Sequence, residues 1–262
     1  MYGLGAWSAY LAVVEEPLTL REALDGENPA DWEKAWESEL NSLRKNGTWR
    51  IESIPEGRKI VGCQWLFQCK QDGRFKVRLV AKGFSHQPGV DFHETFAPVA
   101  KFSTLPVLLA LFAENNWVLH SIDVKTAFLN GELEEEVFMQ CPEGLDEVPG
   151  PGYACRLIKA IYGLRQSPRV WYHRIHTFFA QHHFYRSTQD YSLYINYERR
   201  ILALVYVDDL VLAAAGREAI GWIKGELTKS FEMTDLEELS TFLGLEVMRV
   251  RGQRLITLSQ HQ

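Results

Sequence analysis

Between Ile201 and Ala215 the chain reads ILALVYVDDLVLAAA, an apolar stretch interrupted only by Asp208 and Asp209. The stretch is too broken for a membrane span and suits a strand, a turn and a second strand, from Ile201 to Ala214, with Asp208-Asp209 as the turn. Two adjacent carboxylates between strands that are buried on at least one face repel each other and lose hydration, which a divalent cation would relieve. Taken alone, such a pair is more often an ordinary exposed acidic turn. Neighbouring residues on an extended backbone point in opposite directions, so Asp208 is the one expected to coordinate directly.

Two-metal phosphoryl transfer needs a further carboxylate from elsewhere in the chain. Asp123 meets that need near the end of an expected strand, Val118 to Val124, although an Asp before Val124-Lys125-Thr126-Ala127 also suits a helix N-cap. Other elements follow from periodicity. Asn28 and Pro29 open a helix carrying Trp32, Trp36, Leu40 and Leu43, stopped by Asn46-Gly47. Two extended runs between Lys59 and Lys82 meet at Gln71-Asp72-Gly73-Arg74, a hairpin signal. In the second run Arg74, Lys76, Arg78 and Lys82 share one face, and Phe75, Val77, Leu79 and Ala81 the other. Helices are predicted from Ser103 or Thr104 to Asn115-Asn116, through Val170 to His182, and from Glu218 to Phe231 with Ile220, Ile223 and Leu227 inward. A last hairpin runs from Leu245 to Leu258 around Arg251-Gly252-Gln253. Helices alternating with antiparallel hairpins define an α+β fold, an antiparallel sheet backed by helices.

The formal net charge of -6 argues against a protein that grips nucleic acid over its whole surface. Charge is segregated along the chain, however. Arg58, Lys59, Lys70, Arg74, Lys76, Arg78 and Lys82 stand against the single Asp72, and Arg156 to His176 holds Arg156, Lys159, Arg165, Arg169 and Arg174 with no acid. Glu132 to Glu147 is acidic without a base. Each run alone is ordinarily a solvated face. Basic runs flanking metal-binding carboxylates would guide a polyanion. The N-terminus lacks a basic region ahead of its apolar residues, so neither signal peptide nor membrane span is expected. Cys63, Cys69, Cys141 and Cys155 lack paired spacing, which predicts reduced thiols and an intracellular protein.

Several ordered blocks resemble the reverse transcriptase domain of Ty1/copia retrotransposons. They are N-G-T-W at Asn46 to Trp49, R-L-V-A-K-G-F at Arg78 to Phe84, F-H-E-T-F-A-P-V at Phe92 to Val99, D-V-K-T-A-F-L-N-G at Asp123 to Gly131, Y-G-L-R-Q-S-P-R at Tyr162 to Arg169, Y-V-D-D at Tyr206 to Asp209, and F-L-G at Phe242 to Gly244. The resemblance implies an RNA-templated DNA polymerase with right-hand fingers and palm. Asp123, Asp208 and Asp209 match the catalytic carboxylates that bind two Mg²⁺ ions, with Mn²⁺ able to substitute. Lys76 and Arg78 match residues near the incoming dNTP, and Phe128 the bulky residue that disfavours a ribose 2′-hydroxyl; without the resemblance Phe128 is a core aromatic. Gly163 and Gln166 fall in the block that lines nucleotide and template. Leu243 and Gly244 resemble the primer grip.

The resemblance further implies an N-terminal segment and helix over residues 1–47, fingers with the basic hairpin over 48–117, and a palm over 118–262, with 130–185 partly fingers. Implied partners are an RNA or DNA template with its primer, dNTPs, and the integrase and RNase H of a parent polyprotein, with no membrane. Pro106 stands where the family commonly has arginine and Val77 where it has alanine. The family's thumb is expected to be missing or truncated, as in an excised domain or a truncated genomic copy. The alternative function is therefore an inactive retrotransposon relic with residual nucleic-acid binding; a metal-dependent nuclease finds no supporting motif.

Overall fold

The computed structural model describes residues 16–70, 72–85, 94–101 and 103–260. Residues 1–15 of the expected N-terminal segment, Gln71 of the expected hairpin turn, Phe92 and His93 of the F-H-E-T-F-A-P-V block, and residues 261–262 lie outside them.

A short helix α1 (Leu20–Asp25) precedes α2 (Pro29–Lys45), which buries Trp32, Leu40 and Leu43 along one face. Asn28 does not act as a side-chain cap: its φ is 58° and its side chain makes no cap hydrogen bond. The helix start rests instead on Pro29, whose ring fixes a helical φ. Strands β1 (Trp49–Ser53), β2 (Ile60–Val61), β3 (Cys63–Cys69) and β4 (Phe75–Ala81) follow. β3 and β4 pair antiparallel from Cys63↔Ala81 to Cys69↔Phe75, closing near Gly73 at φ 81°. The apolar face of β4 packs on α2, where Trp32 sets its ring edge against Phe67 and Phe75 at 5.5 and 4.5 Å. That packing turns Lys76 and Arg78 the other way, as their parity predicts. Arg74 does not join them: it precedes β4 and pairs with Asp72.

Helix α3 (Thr104–Asn115) leads into β5 (Val118–Val124). Asp123 is therefore a strand residue and not a helix cap; the 3-10 turn Ala127–Asn130 that follows starts from Thr126. Next come β6 (Glu132–Met139), β7 (Tyr153–Lys159) and α4 (Ser167–Gln181). A four-stranded sheet in the order β1-β7-β6-β2 brings the acidic and basic runs into contact. Glu132 pairs with Lys159 at 2.9 Å, and Glu136 pairs with both Arg58 and Arg156. The segregation along the sequence is thus partly cancelled in space, because adjacent strands place opposite charges side by side.

The remaining elements are β8 (Tyr185–Arg186), β9 (Leu193–Asn196), β10 (Ile201–Tyr206), β11 (Asp209–Ala214), α5 (Arg217–Ser230), β12 (Met233–Glu238), β13 (Thr241–Phe242), β14 (Leu245–Val250) and β15 (Leu255–Ser259). A six-stranded antiparallel sheet runs β12-β5-β11-β10-β9-β8. One face is covered by α4 and α5 through Trp171, Ile175, Phe178, Ile220, Ile223 and Leu227. The other is covered by α3 and the three-stranded sheet β13-β14-β15, through Leu105, Leu109, Phe112, Phe242 and Val247. The fold is mixed α+β. Among the described residues no helix is long and apolar enough to cross a membrane, and all four cysteines are free.

β10 and β11 pair from Ile201↔Ala214 to Tyr206↔Asp209, so the turn is Val207-Asp208 rather than Asp208-Asp209. Asp209 is drawn into the ladder because it has a partner on each side, Tyr206 on β10 and Asp123 on β5.

Candidate active site

A pocket of about 380 Å³ opens between α2, β4, the end of β5 and the β10–β11 turn. Asp123 and Asp208 lie on its wall together with Lys76 and Arg78, so carboxylates and cations from three separate stretches of chain share one cavity. Phe128, Tyr162 and Glu39 also line it, as do Lys125 and Glu232, which pair at 3.2 Å.

Two hydrogen bonds fix the aspartate side. The Val124 N–H, beside Asp123, donates to the Asp208 carbonyl at 2.8 Å and ties the end of β5 to the turn. The Trp171 indole N–H donates to the Val207 carbonyl at 2.7 Å from the opposite side. Val207 has φ 55°, a conformation that a β-branched residue adopts at a cost on the order of 1–3 kcal/mol. On the cation side, the Ala81 N–H donates to the Tyr162 carbonyl at 2.8 Å, docking β4 beside the pocket. The Arg78 guanidinium lies 5.1 Å from the centre of the Tyr162 ring, and Phe128 sets its edge on that ring at 4.7 Å.

Burial displaces the pKa values of these groups, with crowded like charge adding to the effect at Asp123, Asp209 and Lys76. Burial, then the charge of Asp208, raises the Asp123 carboxyl above the ordinary range, against the pull of Lys76 and Arg78. Burial, then Asp208 and Asp123, pushes Asp209 up to about 6. Lys76 is held below the usual lysine value by desolvation and by Arg78, although Asp123 and Asp208 draw it upward. Glu39 is raised by burial, which outweighs its hydrogen bond from the Leu79 N–H and the nearby Arg78 and Lys76.

The structure thus gathers Asp123, Asp208, Lys76, Arg78 and Phe128 around one cavity. Asp209 adjoins the two aspartates without lining it. Gly163 and Gln166 do not line it either. Gly163 has φ 89°, and a Cβ there would come within 2.0 Å of the Ala81 carbonyl oxygen, so it permits the close docking of β4. Gln166 is buried at the start of α4. Leu243 and Gly244, at φ 52° and 77°, form the two-residue turn between β13 and β14, away from the cavity wall. Phe128 is at once core and wall, 8% exposed and in contact with the cavity.

Sequence reasoning missed Glu39, Tyr162 and Trp171. Glu39 carried a signal: it lies three residues after Trp36 and four before Leu43, a charge on the apolar stripe of its helix. The stacking role of Tyr162 and the hydrogen bond of Trp171 depend on contacts between distant segments and leave no such mark.

Among the described residues no group of three or more His, Cys, Asp or Glu side chains is arranged to hold a metal ion. Two carboxylates on a cavity that also presents cations are nevertheless a donor set suited to Mg²⁺. That ion is commonly held by one or two carboxylates together with the phosphates of a substrate. Asp123 and Asp208 are the residues that would hold it.

A model of the family described as "Reverse transcriptase (RNA-dependent DNA polymerase)" matches residues 46–262. The chain belongs to this family. Within it the relatives are Pol polyproteins of Ty1/copia-type transposons. The chain is 37% identical over 255 residues to the Retrovirus-related Pol polyprotein from transposon TNT 1-94 of Nicotiana tabacum, an alignment covering 94% of this chain and 19% of that protein. It is 38% identical over 253 residues to that from transposon RE2 of Arabidopsis thaliana, covering 94% of this chain and 17% of the relative. Identity to the Transposon Ty1-DR5 Gag-Pol polyprotein of Saccharomyces cerevisiae is 26% over 235 residues, covering 84% and 13%. The chain therefore spans less than a fifth of the length of these relatives.

Proposed function

We propose that the cavity is the nucleotidyl-transfer site of an RNA-templated DNA polymerase, in which a dNTP is joined to the 3′-hydroxyl of a primer. The observation that carries this reading is the sharing of one cavity by Asp123 and Asp208 with Lys76 and Arg78. A polyphosphate needs cations, and the ions that accompany it need carboxylates. Lys76 and Arg78 bind the triphosphate, and Arg78 does so from a position set by stacking on Tyr162. Phe128 walls the sugar. Asp123 and Asp208 would hold the two Mg²⁺ ions, with Asp209 contributing charge from the adjoining strand position. When bound, the ions neutralise phosphate oxygens and polarise the primer hydroxyl and the leaving pyrophosphate.

In this reading the β3–β4 hairpin, α2 and the four-stranded sheet are the fingers, and the six-stranded sheet with α3, α4 and α5 is the palm; α2, expected in the N-terminal segment, joins the fingers because it packs on β4, and α3, expected in the fingers, joins the palm because it packs on the six-stranded sheet. The Leu243-Gly244 turn contacts the primer, and the template crosses the block containing Gly163 and Gln166. The natural setting is a polyprotein that also carries integrase and RNase H.

Extension of an oligo-DNA primer on homopolymer RNA with Mg²⁺ tests the proposal. Template-dependent incorporation that disappears in Asp123→Asn and Asp208→Asn supports it. Incorporation that persists at the parental rate in both variants would overturn it, and a chain that binds the duplex without incorporating would point to the relic.

A further inference from the structure

The Val207-Asp208 turn is closed by the Tyr206↔Asp209 pair, leaving only two residues to reverse the chain. Turns this short favour glycine or asparagine at a first position with positive φ, because Cβ crowds the backbone there. Here that position is Val207 at φ 55°, a β-branched residue. Such a conformation persists only where the surroundings over-determine it. Two donors meet the turn's carbonyls, the Val124 N–H on Asp208 and the Trp171 indole N–H on Val207. The indole has a single N–H and spends it on this carbonyl at 2.7 Å. Trp171 is itself immobilised: it is 2% exposed and its ring meets the Phe231 ring edge-on at 5.4 Å.

We propose that Trp171 is a positioning residue whose indole N–H clamps the Val207 carbonyl and so holds the turn in the strained form that presents Asp208 beside Asp123. The role rests on the reading of these aspartates as the metal-binding pair, but the clamp itself concerns only the turn. Packing and clamping are separable. Trp171 fills the core between α4 and the sheet with its rings, in the cluster against which Val207 also packs, and its nitrogen adds the hydrogen bond to the turn.

The test replaces Trp171 in the full chain with β-(3-benzothienyl)alanine, which keeps the two-ring shape and has sulfur in place of N–H; Trp171→Phe is made beside it. Amide hydrogen exchange is followed in metal-free buffer, and Mn²⁺ binding by water-proton relaxation. In the benzothienyl variant, exchange at residues 207–209 is expected to quicken about tenfold, the scale of one net hydrogen bond. Mn²⁺ affinity should fall by a similar factor, while exchange in the middle of β10 and β11 and the melting temperature stay at parental values. Val207→Gly added to the Trp171→Phe chain should restore slow exchange at the turn, because glycine adopts positive φ without strain. Parental exchange at 207–209 in the benzothienyl variant would overturn the proposal. So would exchange quickened equally across the sheet, which would show that Trp171 serves packing alone. Asp208→Asn serves as the control: if it leaves Mn²⁺ affinity unchanged, the metal reading fails, whereas the exchange result still judges the clamp.

Discussion

Asp209 stands directly opposite Asp123 across the β5–β11 ladder, yet of the two only Asp123 reaches the cavity wall. Cross-strand partners share a face of the sheet, and like charges placed there destabilise it. Asp208, one residue away in the turn, adds its charge to both neighbours and contributes to the rise of Asp209 to about 6.

Asp208→Asn should therefore relieve both partners in metal-free buffer. A carboxyl with a raised folded-state pKa adds stability below its unfolded value, and that stability is lost as pH rises through the folded value, here about 6 for Asp209. The variant's melting temperature should exceed the parent's by on the order of 2–4 °C above pH 6, with the gain fading toward pH 4. Carboxyl NMR should show Asp209 titrating lower than in the parent. An unchanged Asp209 titration would mean that the two charges do not interact.

Glu39→Gln tests the half-buried carboxylate of α2. Glutamine keeps an oxygen to accept the Leu79 N–H and removes the charge. Because burial raises the Glu39 pKa, its contribution to stability is present at low pH and lost as pH rises through the raised value. The variant should thus melt higher than the parent at neutral pH and equal to it near pH 4. Removing a negative charge beside Arg78 should also lower the KM for dNTP. A higher KM would show that Glu39 holds the cations in place more than it competes with the triphosphate.

The cation side can be read from salt dependence. Lys76→Ala and Arg78→Ala should each flatten the slope of primer–template or dNTP affinity against log salt by about one charge. Arg74→Ala should leave it near parental, since Arg74 is engaged by Asp72 outside β4. Charge reversal at Glu134 and Glu135 should matter less than loss of Lys76 or Arg78. A larger effect from that acidic strand would place the nucleic-acid path elsewhere.

Much of this was legible because local chemistry and tertiary structure agree. The apolar runs on either side of Asp208 became two paired strands, and the alternation around Lys76 and Arg78 survived because Val77 and Leu79 had α2 to bury against. The turn was misplaced by one residue because nothing local marks Val207 for positive φ; the ladder with Asp123 decides it. The charge runs misled for a related reason. Glu132 and Lys159 lie far apart in sequence, and only the β6–β7 pairing makes them partners. Glu39 was visible in principle as a charge on an apolar stripe, but what it meets, the Leu79 N–H, belongs to another segment.

The central claim, that Asp123 and Asp208 face Lys76 and Arg78 so as to hold a nucleotide with its metal ions, is tested most directly by Mn²⁺ binding with and without a dNTP. Water-proton relaxation on the parent chain should show Mn²⁺ affinity rising when dNTP is added, because the phosphates complete a coordination shell that two carboxylates begin. Asp123→Asn should weaken binding in both conditions, and Arg78→Ala should abolish the dNTP-dependent rise while leaving binding of Mn²⁺ alone in place. The same Mn²⁺ affinity with and without dNTP in the parent, or no loss in Asp123→Asn, would contradict the claim.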